Sequence, residues 1–282
     1  MSAAGSVTGT DREPVLSRRH AAGSESARAL LFTVLGELVL PDPRPVWTSA
    51  FIDVLRRLGI EEKTSRQALM RTSADGWLTR QRQGRRTLWA LSPHAVRLLT
   101  QGAERIYGFT GVQQDWDGRW LIVLARAPES QRNTRHLLRT RLAWAGFGSP
   151  APGAWISTHP ERAAEAEQVL ADAGVRADAQ IFIAEHQGIG EQSLVRQAWD
   201  LVEIERTYED FLAEFAQQPC DGPLTRLIQL VHAWRRFPFI DPALPRELLP
   251  DRWNGGQAAL LFQRQRATWT PGAKAEWARL AQ

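Results

Sequence analysis

The chain has 282 residues, 43% of them hydrophobic, with twelve Trp and a formal net charge of +4. That length asks for more than one core, and the single cysteine, Cys220, excludes an intrachain disulfide and zinc sites built on several thiolates. The longest apolar run, Ala29 to Gly36, is too short to cross a bilayer, and the first residues lack the apolar core of a signal peptide, so a soluble, cytoplasmic protein is expected.

Charge is spread unevenly. Residues 26–105 carry 13 Lys and Arg against 7 Asp and Glu, a net +6, while residues 106–282 carry 19 against 21, a net −2. Duplex phosphates would draw the positive segment.

Residues 1–25 are Ser, Ala, Gly and Thr with scattered charge, and read as a disordered tail. Ser24 or Ser26 can cap a helix reaching about Val39, with Leu30, Leu31, Val34, Leu35 and Leu38 inward. The prolines at 41, 43 and 45 end it, and Thr48 or Ser49 opens a second helix through Phe51, Val54, Leu55 and Leu58. A third helix runs from Glu61 to Ala74 and stops at Asp75-Gly76. Its Ser65, Ala68, Leu69 and Thr72 share the inward face. Lys63, Gln67, Met70, Arg71 and Ala74 take the outer face, flanked by Thr64 and Arg66.

Trp77-Leu78 begins a strand, Gln83-Gly84 turns it and Thr87–Leu91 returns, with Arg80, Arg82, Arg85 and Arg86 around the turn. Ser92-Pro93 starts a fourth helix toward Tyr107. Three helices and an Arg-tipped hairpin read as a winged helix-turn-helix DNA-binding domain over residues 26–108. Its predicted DNA contacts are Lys63, Thr64, Arg66, Gln67 and Arg71 on the helix and Arg80, Arg82, Arg85 and Arg86 on the hairpin. Gln67 and Arg71 suit base edges, and the hairpin Arg suit phosphates or a minor groove.

After a connector the pattern changes. Trp120–Leu124 reads as a strand, Arg132–Ala145 as a helix, Phe147–Ser149 and Gly153–Ser157 as a hairpin, Glu161–Ala173 as a helix and Gln180–Glu185 as a strand. That order is βαββαβ, the ferredoxin-like arrangement, over residues 109–188. Residues 189–282 read as helical: Glu191 to about Gln217, Leu224–Phe237, Gly255–Thr268 and a short tail helix. The fold class is α+β.

The six His show no i, i+4 pair, Asp115 and Asp117 look like turn residues, and neither a phosphate loop nor a nucleophile elbow occurs. No catalytic residue, metal site or cofactor is expected. Trp234-Arg235-Arg236-Phe237 mixes rings and guanidinium groups as an acyl-CoA site could. It reads equally as a helix end whose Arg steady the last carbonyls.

Three stretches carry a family resemblance. The first is Arg66 to Arg71 with Asp75-Gly76-Trp77-Leu78 and Gly84-Arg85-Arg86. The second is Trp116-Asp117-Gly118-Arg119-Trp120, then Gly146-Phe147-Gly148 and Gly153 to Ser157. The third is Ala198-Trp199-Asp200-Leu201, then Trp234 to Pro242, Leu244-Pro245 and Glu247 to Pro250. Together, from Ala27 to about Trp269, they resemble the PaaX-type repressors of phenylacetate degradation. The resemblance implies a three-domain, homodimeric transcriptional regulator that is not an enzyme. It also implies double-stranded operator DNA and an acyl-CoA, above all an aryl-CoA, as partners.

Two features depart from expectation. Ser65 and Thr72 stand on the inward helix face where aliphatics are expected. The middle segment is also similar to the ferredoxin-like fold of CRISPR spacer-acquisition nucleases, which makes a metal-dependent nuclease the alternative reading. Those enzymes carry Asp at the end of their first strand, where this chain has Leu124-Ala125-Arg126.

Overall fold

The computed structural model describes residues 26–111, 116–126, 131–187, 190–217 and 221–282. The tail predicted for residues 1–25, together with Asp115 and Cys220, lies outside them. The protein is α+β, with two antiparallel sheets, and divides into two compact units.

The first unit gathers residues 26–104, Asp221–His232 and Thr268–Gln282. Its central helix is α1 (Ala27–Val34), whose Ser26 hydroxyl accepts the amide of Ala29 at 3.2 Å. Six successive residues, Ala29 to Val34, are buried, so this helix has no solvent face. The predicted α-helix to Val39 instead finishes in a wider π turn over Leu35–Val39, closed by Leu40 N–H to Leu35 O at 2.8 Å. Helices α2 (Thr48–Arg57) and α3 (Glu62–Ala74) pack on α1. Behind them stand strands β1 (Val46–Trp47), β2 (Leu78–Gln83) and β3 (Arg86–Leu91), in the order β1-β3-β2, and helix α4 begins at Pro93.

The other two chain segments cover what remains of this core. Thr33 Oγ1 lies 2.9 Å from His232 Nδ1, the rings of Phe51 and Trp277 stand 6.0 Å apart, and Arg57 pairs with Glu276 at 3.5 Å. These units therefore cut across residues 189–282, which read from sequence as one helical segment.

The second unit gathers residues 105–217 as described, with Ala233–Ala267. Strands β4 (Arg119–Leu124), β5 (Gly148–Ala151), β6 (Ala154–Ser157) and β7 (Gln180–Glu185) form an antiparallel sheet in the order β5-β6-β4-β7. Helices α5 (Arg132–Trp144) and α6 (Ala163–Asp172) bury Leu138, Leu142, Val169 and Leu170 against Leu121, Val123 and Trp155. Helix α7 (Glu191–Ala198) packs against β5. There a Cβ on Gly148 would sit 2.5 Å from the ring of Trp199, so only glycine fits.

The helix predicted from Glu191 to about Gln217 is two helices. Trp199 is extended, and Asp200 caps α8 (Leu201–Phe215) by accepting the amide of Glu203 at 3.1 Å. Helices α9 (Pro223–Trp234) and α10 (Phe237–Ile240) follow. The helices predicted at Gly255–Thr268 and in the tail are one, α11 (Gly255–Leu280), running through Pro271. Proline removes one backbone donor there, and burial of Trp269, Ala273 and Trp277 on both sides of it holds the turns in line.

Candidate nucleic-acid interface

Helices α2 and α3 close with the same backbone device, which fixes how the chain leaves each. At the end of α3, Gly76 N–H donates to Ser73 O at 3.0 Å and Trp77 N–H to Thr72 O at 3.1 Å. Gly76 sits at φ +78, a left-handed conformation that side chains resist. The chain then turns Trp77 inward, edge-on to Phe32 with ring centres 4.7 Å apart. The carboxylate of Asp75 also pairs with Arg28 on α1. Helix α3 is thereby seated by its buried side, and its other side is left to solvent.

That buried side is Ser65, Ala68, Leu69 and Thr72, as the spacing predicts. Ser65 is satisfied by donating to Glu61 O at 3.0 Å, whereas the buried Thr72 hydroxyl has no hydrogen-bond partner among the described residues. Lys63, Thr64, Arg66, Gln67 and Arg71 are all exposed. Arg66 is held within the helix by Glu62, with Nη2 2.7 Å from Oε1, which offsets much of its charge.

The hairpin does not present its four Arg as one cluster. Register pairs Arg80 with Trp89 and Arg82 with Thr87, so those two Arg share one face of the ribbon. Arg80 Nη1 lies 3.9 Å from Met70 Sδ, tying the ribbon to α3. Arg82 Nε donates to Gly84 O at 3.1 Å, and Arg85 is exposed in the two-residue turn. Arg86 stands on the opposite face, its guanidinium 3.9 Å from the centre of the Trp47 ring. Trp47 is positioned by β1, whose neighbour Thr48 accepts Trp89 Nε1–H at 2.9 Å and donates to Thr87 O at 3.0 Å. Sequence reasoning missed Trp47, Thr48 and the Arg28–Asp75 pair, because each acts on a partner about forty residues away.

The stretch Trp234–Phe237 lies in the second unit. Trp234 donates from Nε1 to Ile106 O at 3.0 Å and stacks on Phe262 at 4.7 Å, while Phe237 stacks on Tyr208 at 4.2 Å. Both rings are core. Arg235 is buried, and that desolvation pushes its guanidinium down to about 10. Arg236 is partly exposed. Beside them the buried Asp241 accepts Tyr208 O–H at 2.5 Å and Ala243 N–H at 2.7 Å. None of the four residues lines either of two clefts that open among the described residues of this unit. One of about 750 Å³ lies between Val195–Val202 and Leu248–Asp251, the other of about 840 Å³ around Glu205, Arg246 and Trp253.

At the end of β4 stand Leu124, Ala125 and Arg126, and a cation there opposes rather than holds a divalent metal. Among the described residues no group of three His, Cys, Asp or Glu is placed to bind one.

Comparison with known proteins adds the family. Residues 26–95 match "PaaX-like protein", residues 113–195 "PaaX protein central Cas2-like domain" and residues 199–279 "PaaX-like protein C-terminal domain". Transcriptional repressor PaaX of Escherichia coli (strain K12) is 30% identical over 258 residues, covering 84% of this chain and 78% of that protein. Among solved structures, Uncharacterized protein Rv0674 from Mycobacterium tuberculosis is similar with a TM-score of 0.60. That likeness, at 23% identity over 89% of this chain and 99% of that one, speaks for the fold. With the three segments matched in order and a relative 30% identical over 84% of the chain, the chain belongs to the PaaX family.

Proposed function

We propose that this chain is a cytoplasmic transcriptional repressor, and not an enzyme, that binds a palindromic operator as a homodimer and is released by an acyl-CoA. Residues 26–108 act as a winged helix-turn-helix, residues 109–188 as a ferredoxin-like middle domain and residues 189–282 as the dimerisation and effector segment. The observation that carries the reading is the outward face of α3, where Lys63, Gln67 and Arg71 are exposed beside a ribbon tipped by Arg82 and Arg85. A helix held by its inner side next to a basic ribbon suits a major groove and its flanking phosphates. The relative named a transcriptional repressor supports the same direction.

One such unit reads few base pairs, so two related by a dyad are needed for a genomic site. The effector is an aryl-CoA such as phenylacetyl-CoA, and of the 234–237 stretch the partly exposed Arg236 is the residue left to meet its phosphates, since Arg235 and both rings are buried. Release by ten- to hundredfold requires a coupling of about 1.4–2.7 kcal/mol, and operator DNA must weaken effector binding by the same factor. The test is a titration of phenylacetyl-CoA, other aryl- and short-chain acyl-CoAs and free phenylacetate into a preformed protein–DNA complex. Release by a thioester and not by the free acid is expected. If no thioester displaces DNA the effector class is wrong, and if the protein sediments as a monomer on DNA the dimer is wrong.

A further inference from the structure

The outward face of α3 carries one large apolar side chain among its polar residues. Met70 is 49% exposed, while Ala68 and Leu69 beside it are buried. It follows Gln67 by three positions and precedes Arg71, so it sits within the face assigned to base contacts rather than at its margin. Its Sδ is 3.9 Å from Nη1 of Arg80 on β2, which places the thioether where helix and ribbon meet. An unbranched, polarisable side chain in that position is adaptable and apolar, unlike its neighbours Gln67 and Arg71.

The major groove offers such a side chain one apolar partner. Of the four base pairs, only those with thymine project a methyl group, at C5, into that groove. We propose that Met70 is a specificity-determining residue that reads a thymine by contact with its 5-methyl group. The proposal rests on the reading of α3 as the helix that enters the major groove, and it adds what the polar residues cannot supply. Gln67 and Arg71 recognise hydrogen-bonding edges, whereas a methyl contact separates thymine from cytosine and uracil by apolar burial.

The experiment starts from duplexes selected out of a random pool by the full chain. Each thymine of the selected sequence is then replaced singly by deoxyuridine, which deletes the 5-methyl group and leaves base pairing intact. Wild-type protein should lose roughly three- to tenfold in affinity at one thymine of each half-site, the size expected for one methyl taken out of an apolar contact. Met70→Ala should bind more weakly than wild type and be indifferent to uracil at that position. Met70→Leu, which keeps an apolar side chain, should retain the sensitivity. Wild-type protein indifferent to every thymine methyl, or Met70→Ala as sensitive as wild type, overturns the proposal. Failure to enrich any sequence overturns the DNA-binding reading of α3 and this inference with it, so the two failures are told apart.

Discussion

Arg86 rests its guanidinium 3.9 Å from the centre of the Trp47 ring, on the ribbon face opposite Arg80 and Arg82. A cation held on a ring is oriented by it and less free to reach a phosphate elsewhere. Arg86 therefore steadies the ribbon, and the proposed function then leaves Arg82 and Arg85 as the ribbon residues to meet DNA. Arg85→Ala should weaken binding to selected and random duplexes alike and reduce the slope of log affinity against log salt by about one. Trp47→Ala should weaken both by loosening the ribbon while changing that slope less. Equal slope changes in the two variants would remove the distinction between anchoring and contact.

Gln67 should behave in the opposite way. Its amide can pair with an adenine edge, so Gln67→Ala should cost about 1–3 kcal/mol on a selected duplex and little on random DNA. Competition binding with both duplexes at one salt concentration checks this. A uniform loss would make Gln67 a backbone contact.

The buried hydroxyl of Thr72 is a liability of the helix seat. It is fully enclosed and has no hydrogen-bond partner among the described residues. Thr72→Val keeps the shape and removes the stranded polar group, so it should stabilise the protein by about 1 kcal/mol. Thermal melts should show a higher midpoint with unchanged DNA affinity. A lower midpoint would mean that the hydroxyl is satisfied in solution.

Asp241 should make stability depend on pH. Its burial pushes the carboxyl from an ordinary 3.8 up to about 7, and the nearby Glu205 adds to the rise, while hydrogen bonds from Tyr208 and the Ala243 amide act against it. The folded chain thus keeps a proton that the unfolded chain gives up. This contribution to stability is complete below about pH 4, falls as pH rises, and is gone above about pH 7. Urea midpoints across that window should decline in the wild type and decline less in Asp241→Asn. Parallel profiles for the two proteins would assign the dependence to other groups.

Much of the helix and ribbon was legible in the sequence because their determinants are local. The α3 face follows from the spacing of Ser65, Ala68, Leu69 and Thr72, and the ribbon from alternating residues around Gly84. Strand β7 falls at the predicted residues, Gln180–Glu185. What sequence concealed depends on distant partners. Nothing near Arg86 announces that it belongs to Trp47, and Trp234 and Phe237, which look suited to an aryl ligand, are claimed by Phe262 and Tyr208. Pro271 predicts a helix break that long-range burial overrides.

Helix α1 has no face of its own to show to water, and part of its covering comes from a residue 199 positions away, His232 against Thr33. Contacts of that sequence separation form late, because the closure entropy of a long loop comes before any return. Until they form, the side of α1 at Thr33 and the ring of Phe51, which meets Trp277, belong to an unfinished surface. A fragment ending near residue 104 would carry every side chain proposed to face DNA and still be sticky, prone to self-association rather than to orderly binding.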